Sequence, residues 1–153
     1  MSIFDPDQFA NMTVMEANST VSTPCPAGEY LAIVKEFKAR QWKKKDDPSV
    51  VGMALDILWS VEDQAVKAEL DREEVIIKQG IMLDLTIEGG LDMGKGKNIG
   101  LGRLREATSL NTPGQPFAFS MLPGRPAKIV VTHRPDPADT SIVYAEVKAV
   151  AKP

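Results

Sequence analysis

Alternation of apolar and polar side chains over residues 51–61 is the feature of this sequence that most constrains its fold. Every second residue is apolar, namely Met53, Leu55, Ile57, Trp59 and Val61. The positions between them hold Ala54, Asp56 and Ser60, and Leu58 is the one break in the polar set. A repeat of two residues is typical of a strand with one face in a core, and we therefore predict a strand here with Trp59 buried.

Four other segments, rich in β-branched and aromatic residues, also predict strands: 30–37, 75–85, 127–133 and 141–150. We expect Gly80 to form a bulge or bend in the third of the five strands. Apolar residues recur every three positions from Ile99 to Leu110, which predicts a short helix with Asn98 as its N-cap. The predicted order is β-β-β-α-β-β, with this helix between strands 3 and 4.

This order is that of the OB-fold, a five-stranded Greek-key barrel, and we predict a mostly β, OB-like barrel. A β-sandwich that carries one helix would give the same order and remains an alternative. An OB barrel holds its ligand across strands 2 and 3, between the loops that join strands 1 and 2 and strands 4 and 5. Those loops correspond here to residues 41–48 and 134–140.

The predicted barrel occupies residues 28–153 and follows an extended N-terminal arm, residues 1–27, which is polar and contains three prolines. The apolar stretches are too short to cross a bilayer, and the N-terminus lacks the pattern of a signal peptide. We expect no membrane partner and a cytoplasmic location, which for a viral protein is the host cytoplasm. Cys25 is the single cysteine and is predicted to be a bystander.

The net charge of -3 and the pI of about 5.2 argue against a nucleic-acid partner, because phosphate binding needs Lys and Arg. The net charge does not show that basic and acidic residues are concentrated in different segments of the chain. Of the 18 basic residues, 13 fall in three windows, 35–45, 95–105 and 125–134, in which Glu36 is the only acid. The arm, in contrast, carries acids and no base. Positive charge is therefore concentrated near the loops that an OB barrel uses for its ligand.

Nine residues are candidates for binding single-stranded nucleic acid. Trp42 is the most informative, because an aromatic ring can stack on a base while adjacent lysines contact phosphates. A Trp42 ring folded onto the barrel rim is the alternative. The other candidates are Lys43, Lys44 and Lys45 beside it, Lys38 and Arg40 on strand 1, Lys95 and Lys97 before the helix N-terminus, and Arg134 at the end of strand 4.

No catalytic or metal site is predicted, and no cofactor. Gly89 and Gly94-Lys95 match the first part of a phosphate-binding P-loop, but Gly96 stands where that motif needs Ser or Thr. The sole histidine, His133, has no second His and no neighbouring Cys in sequence with which to bind zinc. We therefore expect a binding protein and not an enzyme.

The C-terminal half resembles a family of small bacteriophage proteins that are regarded as single-stranded DNA-binding proteins. The resemblance lies in the segments 101–111, 113–117 and 122–127, and in residues 26–30 at the start of strand 1. It implies an OB-like domain that coats single-stranded DNA during phage replication or recombination. The chain departs from familiar members in ending at Lys152-Pro153 without an acidic C-terminal tail.

Two other functions stay open. The acidic arm also suits a virion component, such as a capsid-decorating or accessory protein, in which the arm docks onto a neighbour. A phage-encoded inhibitor of a host protein is the third alternative. Further candidate partners are a second copy of the chain and other phage replication or virion proteins.

Overall fold

The computed structural model describes residues 4–153, and its main element is a five-stranded antiparallel sheet. The strands are β1 (Gly28–Lys43), β2 (Val51–Val61), β3 (Ile76–Met82), β4 (Pro126–Pro135) and β5 (Val143–Ala151). Their order in the sheet is β3-β2-β1-β4-β5. The helices are α1 (Pro6–Ala10), α2 (Gln64–Leu70) and α3 (Ile99–Ala107), with a 3-10 turn at Phe119–Met121. The mostly β class, the five strands and the helix between strands 3 and 4 are confirmed, and α2 adds a helix between β2 and β3.

The alternation in β2 does place one face in the core. Leu55, Ile57, Trp59 and Val61 are each no more than 1% exposed. The indole N–H of Trp59 donates to Gln79 Oε1 on β3 at 2.8 Å, so the one polar atom of this large side chain is satisfied. Helix α3 adds buried Leu101 and Leu104 to the same cluster. The strand bounds of β2 coincide with those that the sequence predicts.

A bulge halfway along β1 changes which residues face the core, from the even-numbered ones before it to the odd-numbered ones after it. The register with β2 shifts between Val34 and Glu36, which makes Lys35 the extra residue. Before the bulge, Ala32 and Val34 point into the core; after it, the inward position passes to Phe37, which packs against Phe119 with ring centroids 6.1 Å apart. Even-numbered residues from 36 to 42 consequently lie on the outer face. β1 runs six residues beyond the predicted end of strand 1.

The prediction of a bulge or bend at Gly80 is wrong. β3 pairs with β2 in continuous register through this position, and Gly80 lies directly opposite Asp56. A Cβ at Gly80 would lie 3.6 Å from Asp56 Oδ1. The glycine thus lies against the carboxylate without breaking the strand.

Asn98 is the N-cap residue of α3, as predicted, but its side chain does not cap the helix. It has a left-handed φ of 53° and makes no side-chain bond to the first turn. Its Oδ1 accepts from the Asp84 N–H at 2.7 Å, and its Nδ2 donates to the carbonyls of Asp84 and Asp92 at 2.9 and 3.0 Å. Asn98 therefore ties together the two ends of the glycine-containing loop that precedes α3.

The last residues of the predicted arm pack on the sheet. Cys25 is 3% exposed and belongs to the core cluster. His133 Nε2 lies 2.7 Å from the Cys25 carbonyl, and Arg72 donates to the Thr23 carbonyl at 3.1 Å. Residues 1–3 lie outside the described residues, and α1 buries none of its side chains.

The two edge strands, β3 and β5, contact each other without a hydrogen-bonded ladder, and α3 contacts both of them. Within residues 4–153, no helix has the length and apolar character that a membrane span requires.

Candidate nucleic-acid interface

The outer face of β1, β2 and β3 carries a row of cationic and aromatic side chains. Because of the bulge at Lys35, residues 38, 40 and 42 of β1 all lie on this face. Lys38 pairs with Asp56, Arg40 with Ala54 and Trp42 with Gly52. Sequence periodicity correctly placed Lys38 and Arg40 on one face of strand 1.

Asp56 is the centre of an ion-pair cluster on this face. It is 8% exposed, and its Oδ2 lies 3.0 Å from Arg40 Nε and 3.7 Å from Lys78 Nζ. Arg40 Nη2 approaches Oδ1 at 3.5 Å, which makes the guanidinium contact nearly bidentate. The Arg40 and Lys78 side chains remain 45% and 60% exposed, so both keep N–H groups that face solvent.

A shallow groove of about 560 Å³ runs over this cluster. It is lined by Glu36, Phe37, Lys38, Ala39, Arg40, Gln41, Asp56, Leu58 and Lys78. Cationic ends and the apolar surface of Leu58 thus border the same depression. A ligand with both negative charge and flat apolar parts would match this lining.

Lys78 and Asp56 were missed as site residues by sequence reasoning. The alternation of β3 could have identified Lys78, because it places this residue on the outer face of the strand. There Lys78 pairs with Leu58, the residue that breaks the polar face of β2. Asp56 was assigned to the polar face, but its two cationic partners lie 16 and 22 positions away in the chain. No local pattern connects residues at that separation.

Trp42 lies at the end of β1 and its ring packs on the sheet. Gly52 is its direct cross-strand partner, and a Cβ built on Gly52 would overlap the indole atoms Cζ2, Cε2 and Nε1. The Nε1 atom is buried and has no hydrogen-bond partner among residues 4–153. In this conformation the indole is folded onto the sheet, which corresponds to the alternative that the sequence left open.

Lys43 ends β1, whereas Lys44 and Lys45 enter the turn to β2. The Lys44 N–H donates to the Val50 carbonyl at 3.0 Å, which closes this turn. The three lysine side chains are exposed, and the same turn contains Asp46 and Asp47. The turn therefore extends the row of cations beyond Trp42 but also brings two carboxylates to it.

The remaining predicted residues lie on other elements. Arg134 is on the outer face of β4, where its Nε is 3.1 Å from Glu146 Oε2 and its Cζ is 5.4 Å from the Tyr144 ring centroid. The structure thus pairs Arg134 with residues of β5. Lys95 and Lys97 lie in the loop before α3, on the C-terminal side of β3. The nine predicted residues are therefore divided among four places: three on the outer face of β1, three at the end of β1 and in the following turn, two in the loop before α3 and one on β4.

Tyr144 and Asp136 define the β4–β5 loop. The Tyr144 hydroxyl donates to Asp136 Oδ2 at 2.7 Å, and the Ala138 N–H donates to Asp136 Oδ1 at 2.8 Å. These bonds to the carboxylate lower the pKa of Asp136, and the Tyr144 bond is the larger cause. The bond to an anion also raises the pKa of Tyr144.

Cys25, the one cysteine, is packed in the core, whereas His133, the one histidine, is exposed. Burial raises the pKa of the Cys25 thiol, so this group stays protonated at neutral pH. His133 contacts the Cys25 carbonyl through Nε2. Within residues 4–153, no three His, Cys, Asp or Glu side chains are grouped so that they could hold a metal ion.

Comparison with known proteins gives this chain no family: no protein-family model matches the sequence, and neither does any curated protein.

Proposed function

We propose that this protein binds single-stranded DNA without catalysing a reaction, and that it coats unpaired strands during phage replication or recombination. The observation that supports this most directly is the shared outer face of β1 to β3. Lys38, Arg40 and Lys78 border one groove there, with Trp42 further along the same strand. Cationic ends for the phosphates beside aromatic and apolar surface for the bases are the combination that single-strand binders use.

The same proposal includes closure of the sheet into an OB-type barrel. Contact between the edge strands β3 and β5, together with α3 against both, supports it. The long β1 supports it too, since its residues 28–33 pair with β4 and its residues 32–43 pair with β2. In such a barrel the groove over Asp56 lies where OB domains hold their ligands.

Binding on this face would depend on backbone charge and stacking, and we therefore expect little sequence preference. Asp56 neutralises part of the local positive charge, which favours moderate affinity and rapid exchange. The buried thiol of Cys25 and the engaged ring of His133 support the absence of catalysis in this proposal.

The test is a fluorescence-anisotropy titration of labelled oligo-dT at several salt concentrations. Lys38→Ala should weaken binding and lower the slope of log affinity against log salt by about 0.7, the value for one phosphate contact on a single strand. Lys128→Ala is the matched control, because this exposed lysine lies on β4 and pairs with Glu29. No binding of the wild-type protein at low salt would overturn the proposal.

A role as a virion accessory protein is the second candidate, and the arm favours it. Phe9, Met12, Val14 and Met15 are between 60% and 89% exposed, which is unusual for apolar side chains so close in sequence. We propose for this case that the arm docks onto a neighbouring particle protein. Copurification with intact particles, lost on deletion of residues 1–18, would support it, and unchanged copurification of the deletion variant would contradict it.

A further inference from the structure

On the proposed DNA-binding face, the Trp42 ring packs so closely against Gly52 that no other residue would fit at position 52. The indole occupies the space that a Cβ would take at position 52, so any other residue there would displace the ring. Gly52 lies in a strand and its φ is outside the left-handed region, so its backbone does not require glycine. Glycine is needed at position 52 because the Trp42 ring fills the space that a side chain would occupy.

The indole N–H gains nothing from this position. Nε1 is buried with no acceptor in the part of the chain that the structure describes, and a buried donor in that state has lost its bonds to water without replacement. Trp59, in contrast, is fully buried and donates to Gln79. The Trp42 conformation therefore combines ring packing, which favours it, with an unsatisfied donor, which opposes it.

We propose that Trp42 is the residue that stacks on an unpaired nucleobase, and that it does so by leaving Gly52, which holds the ring in a closed position in the free protein. This inference rests on the proposed function and names its stacking site. Movement away from Gly52 releases the N–H to water or to a ligand acceptor and frees both faces of the ring. The cost of opening reduces the apparent affinity, because only the open fraction stacks on a base.

The first experiment is ¹⁹F NMR on the full chain labelled with 5-fluorotryptophan, which gives one signal each for Trp42 and Trp59. Trp42→Ala assigns the signals. Addition of oligo-dT should shift the Trp42 signal away from its closed-state position and leave the Trp59 signal in place. Anisotropy measured on the same sample reports whether DNA is bound.

The second experiment is Gly52→Ala, whose methyl group excludes the closed position. This variant should bind oligo-dT roughly threefold to tenfold more tightly, because the opening cost has already been met. In the Trp42→Ala background the Gly52→Ala change should have no effect on affinity, which gives the matched control by a double-mutant cycle.

The outcomes separate the two proposals. DNA binding with an unmoved Trp42 signal, or with equal affinity in Gly52→Ala and wild type, would overturn the stacking inference and leave the proposed function standing. Either result would mean that Trp42 only packs against Gly52 and does not contact the DNA. No DNA binding at all would overturn both.

Discussion

Arg40 and Asp56 face each other across β1 and β2, and the Arg40 Nε donates to Asp56 Oδ2 at 3.0 Å. Lys78 approaches the same oxygen from β3. One buried carboxylate thus orients two cations that would otherwise be free to meet phosphates. The position of Asp56 makes it the group that sets the charge of the groove.

We expect Asp56→Asn to strengthen DNA binding while it weakens the fold. Release of Arg40 and Lys78 should steepen the salt slope by up to about 1.4, which is 0.7 for each freed cation. The loss of two partly exposed ion pairs should lower the free energy of unfolding by about 1 kcal/mol. Anisotropy titrations and urea unfolding measure the two effects.

Glu74→Gln is the control for this prediction, because it removes the same charge from the exposed Lys35–Glu74 pair. Its salt slope should stay at the wild-type value. An Asp56→Asn slope equal to that of the wild type would contradict a role of these two cations in phosphate contact.

Asn98 should be sensitive to both its side chain and its backbone conformation. Asn98→Ala removes three hydrogen bonds and places alanine at a φ of 53°, so we expect a loss of about 2 kcal/mol or more in the free energy of unfolding. Asn98→Gly removes the same bonds but tolerates the positive φ, and should cost less than Asn98→Ala. Equal losses in urea unfolding would show that backbone strain plays no part.

Cys25 should react slowly with a thiol reagent such as DTNB in the native protein at pH 8. The residue is 3% exposed, and burial keeps its pKa raised. Reaction should become fast in urea at the unfolding transition. Arg72→Ala, which removes the bond to the Thr23 carbonyl, should accelerate the native reaction. Immediate stoichiometric reaction of the wild type would contradict the packing of this segment.

The β4–β5 loop should depend on pH through Asp136. Its pKa is lower in the folded protein than the ordinary value of 3.8, so its hydrogen bonds are fully present above that value and are lost as the pH falls through the lower, folded pKa. The Ala138 amide resonance should therefore stay constant from neutral pH to about pH 4 and shift below it. Asp136→Asn should abolish this shift, and a transition above pH 4 in the wild type would contradict the assignment.

Sequence periodicity located β2 to the residue because its buried and exposed faces differ strongly in chemistry. It underestimated the length of β1, since the half beyond Lys35 is polar on both faces apart from Phe37, Ala39 and Trp42. A bulge changes whether the odd-numbered or the even-numbered residues of a strand face the core, but it does not change the residue composition of the strand. Local patterns therefore give no warning of it.

Of the candidate site, sequence reasoning found Lys38, Arg40 and Trp42 but not their partners. Asp56 and Lys78 join them only through strand pairing, which is a property of the whole sheet. Gly80 was assigned a bulge from its residue type alone. A glycine can also lie in a regularly paired strand, as Gly80 does opposite Asp56, and its residue type does not distinguish that case from a bulge.

The bulge at Lys35 ties the chemistry of the surface to a single inserted residue. If Lys35 paired in the ladder instead of bulging out of it, every later residue of β1 would move to the opposite face. Phe37 would then lie opposite Asp56 and face water, and Lys38 would lie opposite Leu55 and face the core. The surface therefore depends on the bulge itself and not on the side chain of Lys35, an exposed residue that many side chains could replace.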